Sequence, residues 1–190
     1  MPVQPQLVPE PLDAPPLMLR PWQQAYAPAL WEAVRQSQAG VGRWLPWCHA
    51  DYDLDEALRW IAFCQQGWDD GDHYAFAVFD AQDQLVGGAG LNQIDRRDWR
   101  ANLGYWIRDS ATGQGYASRA ARAVATFGFA TLVLNRIEIV AATGNLASQR
   151  CAERLGAQRE GVARRRVVLH GNAEDAVIYG LVADDLTSPR

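Results

Sequence analysis

The sequence predicts a single α/β domain built on a mixed sheet, and three observations carry that prediction. His73–Asp80 and Gln84–Leu91 read as two strands about an Ala-Gln-Asp-Gln turn, which marks an antiparallel hairpin. Two strand–loop–helix units follow in succession, Asn102–Leu132 and Arg136–Gly156, a repetition that makes their strands parallel neighbours. Gly161–Leu169 and Ala176–Val182 then form a closing hairpin about His170-Gly171-Asn172. A chain of 190 residues suits one such domain that buries most of its apolar surface.

Taken in order, Met1–Pro16 holds six prolines and no apolar periodicity, so it reads as a tail, either disordered or strapped down. The folded domain is expected over 17–186, with 187–190 a second tail. Leu17–Arg20 is a first strand and Gln23–Gln38 an amphipathic helix. Leu54–Trp68 is a second helix, with Asp53 or Asp55 near its start. After the hairpin, Asn102–Ile107 is a strand and Gln114–Leu132 a helix. Arg136–Ala142 is a short β-rich run. Asn145 then suits the N-cap of a helix that runs to Leu155 and stops at Gly156. The element order is β-α-α-β-β-β-α-β-α-β-β.

Composition narrows the function classes. A net charge of −4 and a pI of about 5.3 leave no electrostatic footprint for nucleic acid. Arg164-Arg165-Arg166 reads as a solvated strand edge. Cys48, Cys64 and Cys151 make neither a metal spacing nor an even disulfide framework, and fit a reducing cytoplasm. His49, His73 and His170 show no metal spacing either, so no metal is expected. The longest apolar stretch, Ala123–Leu134, is too short to span a bilayer, and no charged segment precedes an apolar core. The expectation is a cytoplasmic protein with neither membrane nor nucleic acid as partner.

The chemistry gathers at the two helix starts. Thr112-Gly113-Gln114-Gly115-Tyr116-Ala117 lies between a strand and a helix whose first amides are unpaired and carry partial positive charge. Glycine there lets backbone approach a phosphate, or serves only the geometry of a tight turn. The run is neither a P-loop nor a dinucleotide fingerprint. Parallel strands place the Asn145 helix start at the same sheet edge, where ligands collect in open α/β sheets.

In this order the motifs resemble the core of the GNAT superfamily of acyl-CoA-dependent N-acetyltransferases, in its RimJ/RimL-type branch. The loop matches the family form Gln/Arg-x-x-Gly-x-Gly/Ala at Gly115 and Ala117, and departs from it at Thr112. Asn145 and Ser148 match the branch's Asn-x-x-Ser, and Leu134–Glu138 its second strand. The resemblance runs from Leu17 to Leu186. It implies a mostly antiparallel central sheet flanked by helices, with the parallel pair at the cofactor site. It also implies acetyl-CoA as co-substrate and direct transfer to a primary amine. The cofactor contacts it implies are Trp106, Ile107 and Arg108; Gly113, Gln114, Gly115, Tyr116 and Ala117; and Ser118, Arg119, Asn145 and Arg150. A backbone amide near Trp106–Ile107 would meet the oxyanion, and Arg150 a ribose phosphate.

Only a neutral amine attacks a thioester. A protein α-amine, with a pKa of about 8, is far better placed than a lysine near 10.4, and the departing thiolate belongs to a thiol of about 8.5. Two catalytic candidates follow. Glu138, inside a strand covered on both faces, is either a base with raised pKa or half of an ion pair with Arg136. Ser148 is either a donor to the leaving sulfur or a first-turn polar residue. Where the branch can carry a glutamate base on the strand after the second helix, this chain has Val167. Trp44 and Trp47 sit in a polar connection and are expected to wall the acceptor cleft or pack on the core. The acceptor is expected to be a protein N-terminus, such as a ribosomal protein's. A small amine such as an antibiotic or polyamine, or a CoA-binding module without chemistry, are the alternatives. Monomer and homodimer both stay open.

Overall fold

The computed structural model describes residues 8–187. The sheet is built from β1 (Leu12–Ala14), β2 (Leu17–Pro21), β3 (Tyr74–Phe79), β4 (Leu85–Asp95), β5 (Arg100–Ile107), β6 (Arg136–Ala142), β7 (Gln158–Leu169) and β8 (Asn172–Leu181). Its order is β1-β2-β3-β4-β5-β6-β8-β7, and every neighbouring pair is antiparallel except β5–β6. The helices are α1 (Ala27–Arg35), α2 (Leu54–Asp70), α3 (Tyr116–Ala130), α4 (Leu146–Leu155) and the short α5 (Ala183–Thr187). This is the mixed, mostly antiparallel α/β architecture that the sequence predicts.

Several boundaries moved for local physical reasons. Leu12–Ala14, inside the proline-rich stretch, pairs with Leu17–Leu19 as an edge strand, so part of that stretch belongs to the sheet. The rest of the tail expectation, residues 1–7 and 188–190, lies outside the described residues. The single helix expected over 23–38 divides into a 3-10 turn, Gln24–Tyr26, and α1, which opens with a proline in its first turn. Helix α3 begins at Tyr116 rather than Gln114. Gly113 and Gly115 take φ of +80° and +76°, a left-handed backbone that cannot belong to a right-handed helix. Asn145 caps α4 as expected, accepting the Ser148 amide at 3.1 Å, and Gly156 ends it in the left-handed region.

Two cores hold the layers together. On one face of the sheet, α3 and α4 bury Ala120, Ala121, Val124, Ala152 and Leu155 against Phe76, Leu91, Leu103, Ile137, Ile139 and Tyr179. On the other face, α1 and α2 bury Leu30, Val34, Ala57, Ile61 and Cys64 against Ala75, Ala77 and Phe79. Strand β3 is therefore apolar at every position, since its alternate side chains enter opposite cores. Along β5 the same alternation sends Leu103, Tyr105 and Ile107 to the α3/α4 side and Trp106 to the α1/α2 side.

Candidate active site

The parallel pair is short. Only Arg100–Asn102 register with Arg136–Glu138, yet β5 continues to Ile107 and β6 to Ala142. A wedge thus opens between two strands that both end beside the starts of α3 and α4. The hydrogen-bond alternation identifies what faces it. Arg108 donates its amide to the Val86 carbonyl at 2.8 Å, so Arg108 and Val86 are a bonded antiparallel pair. Bonded and non-bonded pairs alternate, which turns the N–H and C=O groups of Leu103, Tyr105 and Ile107 away from β4 and into the wedge. By the same rule, the Thr143 amide bound to Asp175 O at 3.0 Å leaves the backbone of Val140 facing the wedge from β6.

A cleft of about 1030 Å³ occupies this opening and passes through the sheet to its α2 side. Leu103–Ile107 and Ile139–Ala142 line its middle, with Thr112, Ala117, Asn145, Ser148 and Cys151 at one end. Glu56, Arg59, Trp60, His73, Asn92 and Asn102 line the other. The segment after α1 roofs it. The Asp109 carboxylate, just past β5, accepts the amides of Gly40 and Val41 at 2.9 and 3.2 Å. At the far side His170, on the β7–β8 tip, donates Nε2–H to Gly42 O at 3.0 Å. Trp44 lies over Gly144, where an added Cβ would come within 3.2 Å of the ring. Trp47 meets the Trp106 ring edge-on at 5.5 Å, and Trp106 closes over Gly88, where a Cβ would sit 2.7 Å from its indole nitrogen. Both predicted tryptophans, Trp44 and Trp47, therefore wall the cleft.

The loop at its mouth is open. An added Cβ at Gly113 or Gly115 would meet nothing within 4 Å, and no side chain caps α3, so the start of this helix is left without a side-chain acceptor. Tyr116 and Ala117 start that helix, Ser118 lends its hydroxyl to Cys151 Sγ at 3.4 Å, and Gln114 is exposed. At the second helix start, Tyr105 OH donates to Ser148 O at 3.1 Å and lies 3.2 Å from Ser148 Oγ. Burial holds the Tyr105 phenol well above its usual range and also pushes the Cys151 thiol up.

Four charged candidates, Glu138, Arg108, Arg119 and Arg150, have their side chains outside the cleft lining. Glu138 is not in the lining. Its carboxylate accepts from Arg136 Nε at 3.1 Å, and Arg136 Nη1 reaches Glu160 at 2.6 Å, so the charge of Glu138 is spent in an ion-pair cluster on the sheet surface. Arg108 turns its guanidinium to Leu85 O and Gln36 Oε1, and its amide is used by Val86. Arg119 donates to Pro15 O at 3.0 Å and ties α3 to the β1–β2 turn. Arg150 is exposed on α4 and outside the lining. Trp106 is a wall through its ring only, because its backbone pairs with Gly88; the wedge-facing amide is that of Ile107.

The structure adds residues that local sequence does not reveal. Asp109 anchors Gly40 across 69 positions, and Tyr105 reaches Ser148 across 43. The parity of β5 places Tyr105 on the face of Leu103 and Ile107, a signal readable once α4 is known to cover that face. Asn92 and Asn102 are joined by a 3.0 Å hydrogen bond at the α2 end, and nothing in their own segments marks them. Val167 does line the cleft, so a glutamate at that position would have entered it.

A splayed parallel pair beside an uncapped glycine loop defines a cleft for an extended, phosphorylated carrier. Residues 16–158 match the acetyltransferase (GNAT) domain, and the chain belongs to that family of N-acetyltransferases. It is 32% identical over 158 residues to YdaF of Bacillus subtilis (strain 168), provisionally named a ribosomal N-acetyltransferase, covering 82% of this chain and 85% of YdaF. It is 27% identical to the ribosomal-protein-serine acetyltransferase of Escherichia coli (strain K12), covering 69% of this chain and 80% of that protein. Among solved structures, RimL, the ribosomal L7/L12 alpha-N-protein acetyltransferase in complex with coenzyme A, superposes with a TM-score of 0.85. At 24% identity, with 93% of this chain and 99% of that one covered, it shows a shared fold.

Proposed function

We propose that this N-acetyltransferase moves the acetyl group of acetyl-CoA to the α-amine at a protein N-terminus. The observation that carries the reading is the wedge itself: two strand edges with backbone groups turned inward, continuous with the uncapped start of α3. Bound acetyl-CoA supplies the activated acetyl thioester. The amides at Gly113–Ala117 hold the pyrophosphate, where the α3 dipole favours negative charge and no Cβ intrudes. The inward groups of Leu103 and Tyr105 pair with the amides of the carrier's arm as an added strand would. The Ile107 N–H meets the oxygen that gains charge during attack, and a donor aimed there is commonly worth about 3–4 kcal/mol of barrier. Ser148 donates to the departing sulfur.

With Val167 in the cleft and Glu138 paired outside it, the carboxylates that line the cleft are Glu56, at the α2 end, and Asp109, held by the Gly40 and Val41 amides; neither sits on β5 or β6. That suits an α-amine. At a pKa of about 8, roughly a tenth is already neutral at pH 7, whereas a lysine amine is almost wholly charged. The names of the relatives, which act on ribosomal proteins, point the same way. The three cysteines are free and buried, which fits work in the cytoplasm. The test is incubation with acetyl-CoA, a set of peptides with free or blocked N-termini, and a panel of polyamines and aminoglycosides. Mass spectrometry should find acetyl on free peptide N-termini; acetylation confined to small amines or lysine side chains would overturn the acceptor assignment.

A further inference from the structure

The hydroxyl of Tyr105 has a geometry that the reading above does not use. It lies within hydrogen-bond distance of two oxygens of one residue, Ser148 O at 3.1 Å and Ser148 Oγ at 3.2 Å, and both side chains line the cleft. A serine in the first turn of a helix ordinarily spends its hydroxyl on local backbone or on water. Here the Ser148 amide is held by Asn145 and the Ser148 carbonyl by the phenol, so the backbone of the residue is fixed on both sides. The phenol is also the hydrogen-bond partner of Ser148 Oγ. A phenol has one proton to donate and lone pairs to accept with. Either oxygen of this hydroxyl pair can donate; with the phenol proton shared between the two Ser148 oxygens, an Oγ lone pair is satisfied and the Ser148 hydroxyl proton is free to turn into the wedge.

We propose that Tyr105 is a positioning residue for acyl transfer: its phenol orients and polarises the Ser148 hydroxyl toward the sulfur of the carrier. This rests on the assignment of Ser148 as the sulfur's donor. No proton leaves Tyr105. The phenol stays protonated throughout, the Ser148 O–H bond remains intact, and the proton that completes the product thiol derives from the attacking amine. The surroundings support a donor that keeps its proton. Burial, with Cys151 and Tyr179 beside it, raises the Tyr105 phenol's pKa and so keeps it protonated. Cys151 in turn is held by Ser118 Oγ, so a row of hydroxyl and thiol groups runs from the α4 start back to the α3 start.

The test uses the full chain with Tyr105→Phe, Ser148→Ala and the double variant, each first checked for an unchanged thermal midpoint within a few degrees. Steady-state transfer is then combined with calorimetric binding of CoA and of desulfo-CoA at pH 6.5 and 9. A donor aimed at sulfur stabilises the bound thiolate, so CoA affinity should rise with pH in the unaltered protein while desulfo-CoA affinity should not. Tyr105→Phe should weaken CoA at pH 9 by roughly 3- to 10-fold, the scale of one hydrogen bond to a charged group shared through a relay. It should leave desulfo-CoA binding unchanged, lower kcat by a similar factor, and add nothing in the Ser148→Ala background. Equal losses for CoA and desulfo-CoA, or an undiminished effect in the Ser148→Ala background, would show that the phenol only braces the strand and would overturn the proposal. If Ser148→Ala lowers kcat while Tyr105→Phe does not, the positioning role fails and the Ser148 reading stands. If Ser148→Ala itself changes neither kcat nor CoA binding, both fall.

Discussion

At the scale of single residues, the decisive contrast is between Glu138 and Ser148. Each has a polar identity that suits catalysis, but Glu138 is engaged by Arg136 outside the cleft while Ser148 lines it. Glu138→Gln should therefore leave kcat within about twofold and cost at most about 1 kcal/mol, since Arg136 keeps Glu160 and the cluster is part-exposed. Paired steady-state assays and urea melts check both halves. His73 offers a pH signature. Its ring packs on Trp60 and Phe63, and burial lowers its pKa below the ordinary 6.5, with Asp72 pulling weakly the other way. The unfolded chain then binds this proton at a higher pH than the folded one, so stability is lost as pH falls through about 6.5. Urea midpoints at pH 7.5 and 5.5 should fall in the native protein, and fall less in His73→Phe. Local sequence could not separate these cases: whether a strand carboxylate is spent on a neighbour or free for chemistry depends on where Arg136 and Glu160 lie, 24 positions apart.

At the scale of elements, function depends on how α3, α4 and the roof are anchored. Asn145 was legible as a cap, because its side-chain oxygen, its spacing to Ser148 and the Gly156 stop all act within one helix. Asn145→Ala should cost about 1 kcal/mol by urea melt and release the Ser148 amide. The glycine loop was legible as a turn but not as a binding surface until φ and the empty space above it were known. Gly115→Ala should cost about 1 kcal/mol, because L-residues resist φ of +76°. Calorimetry should also show weaker CoA binding, since the new methyl stands where phosphate is proposed to approach. The roof was legible only through Trp44 and Trp47, and its anchor at Asp109 was not. Asp109→Ala would strand the amides of Gly40 and Val41, with an expected loss of about 2 kcal/mol. Hydrogen exchange in residues 40–48 should rise while that of α3 stays unchanged.

For the whole molecule, the wedge leaves the sheet one strand short between β5 and β6, and a ligand that fills it completes the hydrogen bonding of both edges. Saturating CoA, at about a hundredfold over Kd, should add roughly 2.7 kcal/mol of stability. For a chain of this size that raises Tm by about 5–10 °C, readable in a thermal scan with and without CoA. Desulfo-CoA should give nearly the same rise, because the loop and the strand edges carry most of the grip. Apart from β1, the 3-10 turns and the short α5, the element order and the parallel pair were set by the sequence alone, since hydrophobic period, glycine, proline and capping residues act over a few positions each. So was the family, through the loop and the Asn145–Ser148 spacing. Only the tertiary structure decided where the two strands part, which backbone groups the parting turns inward, and which polar side chains are left for chemistry. Those depend on pairings such as Asp109 with Gly40 and Tyr105 with Ser148, made across dozens of residues by packing that no local pattern encodes.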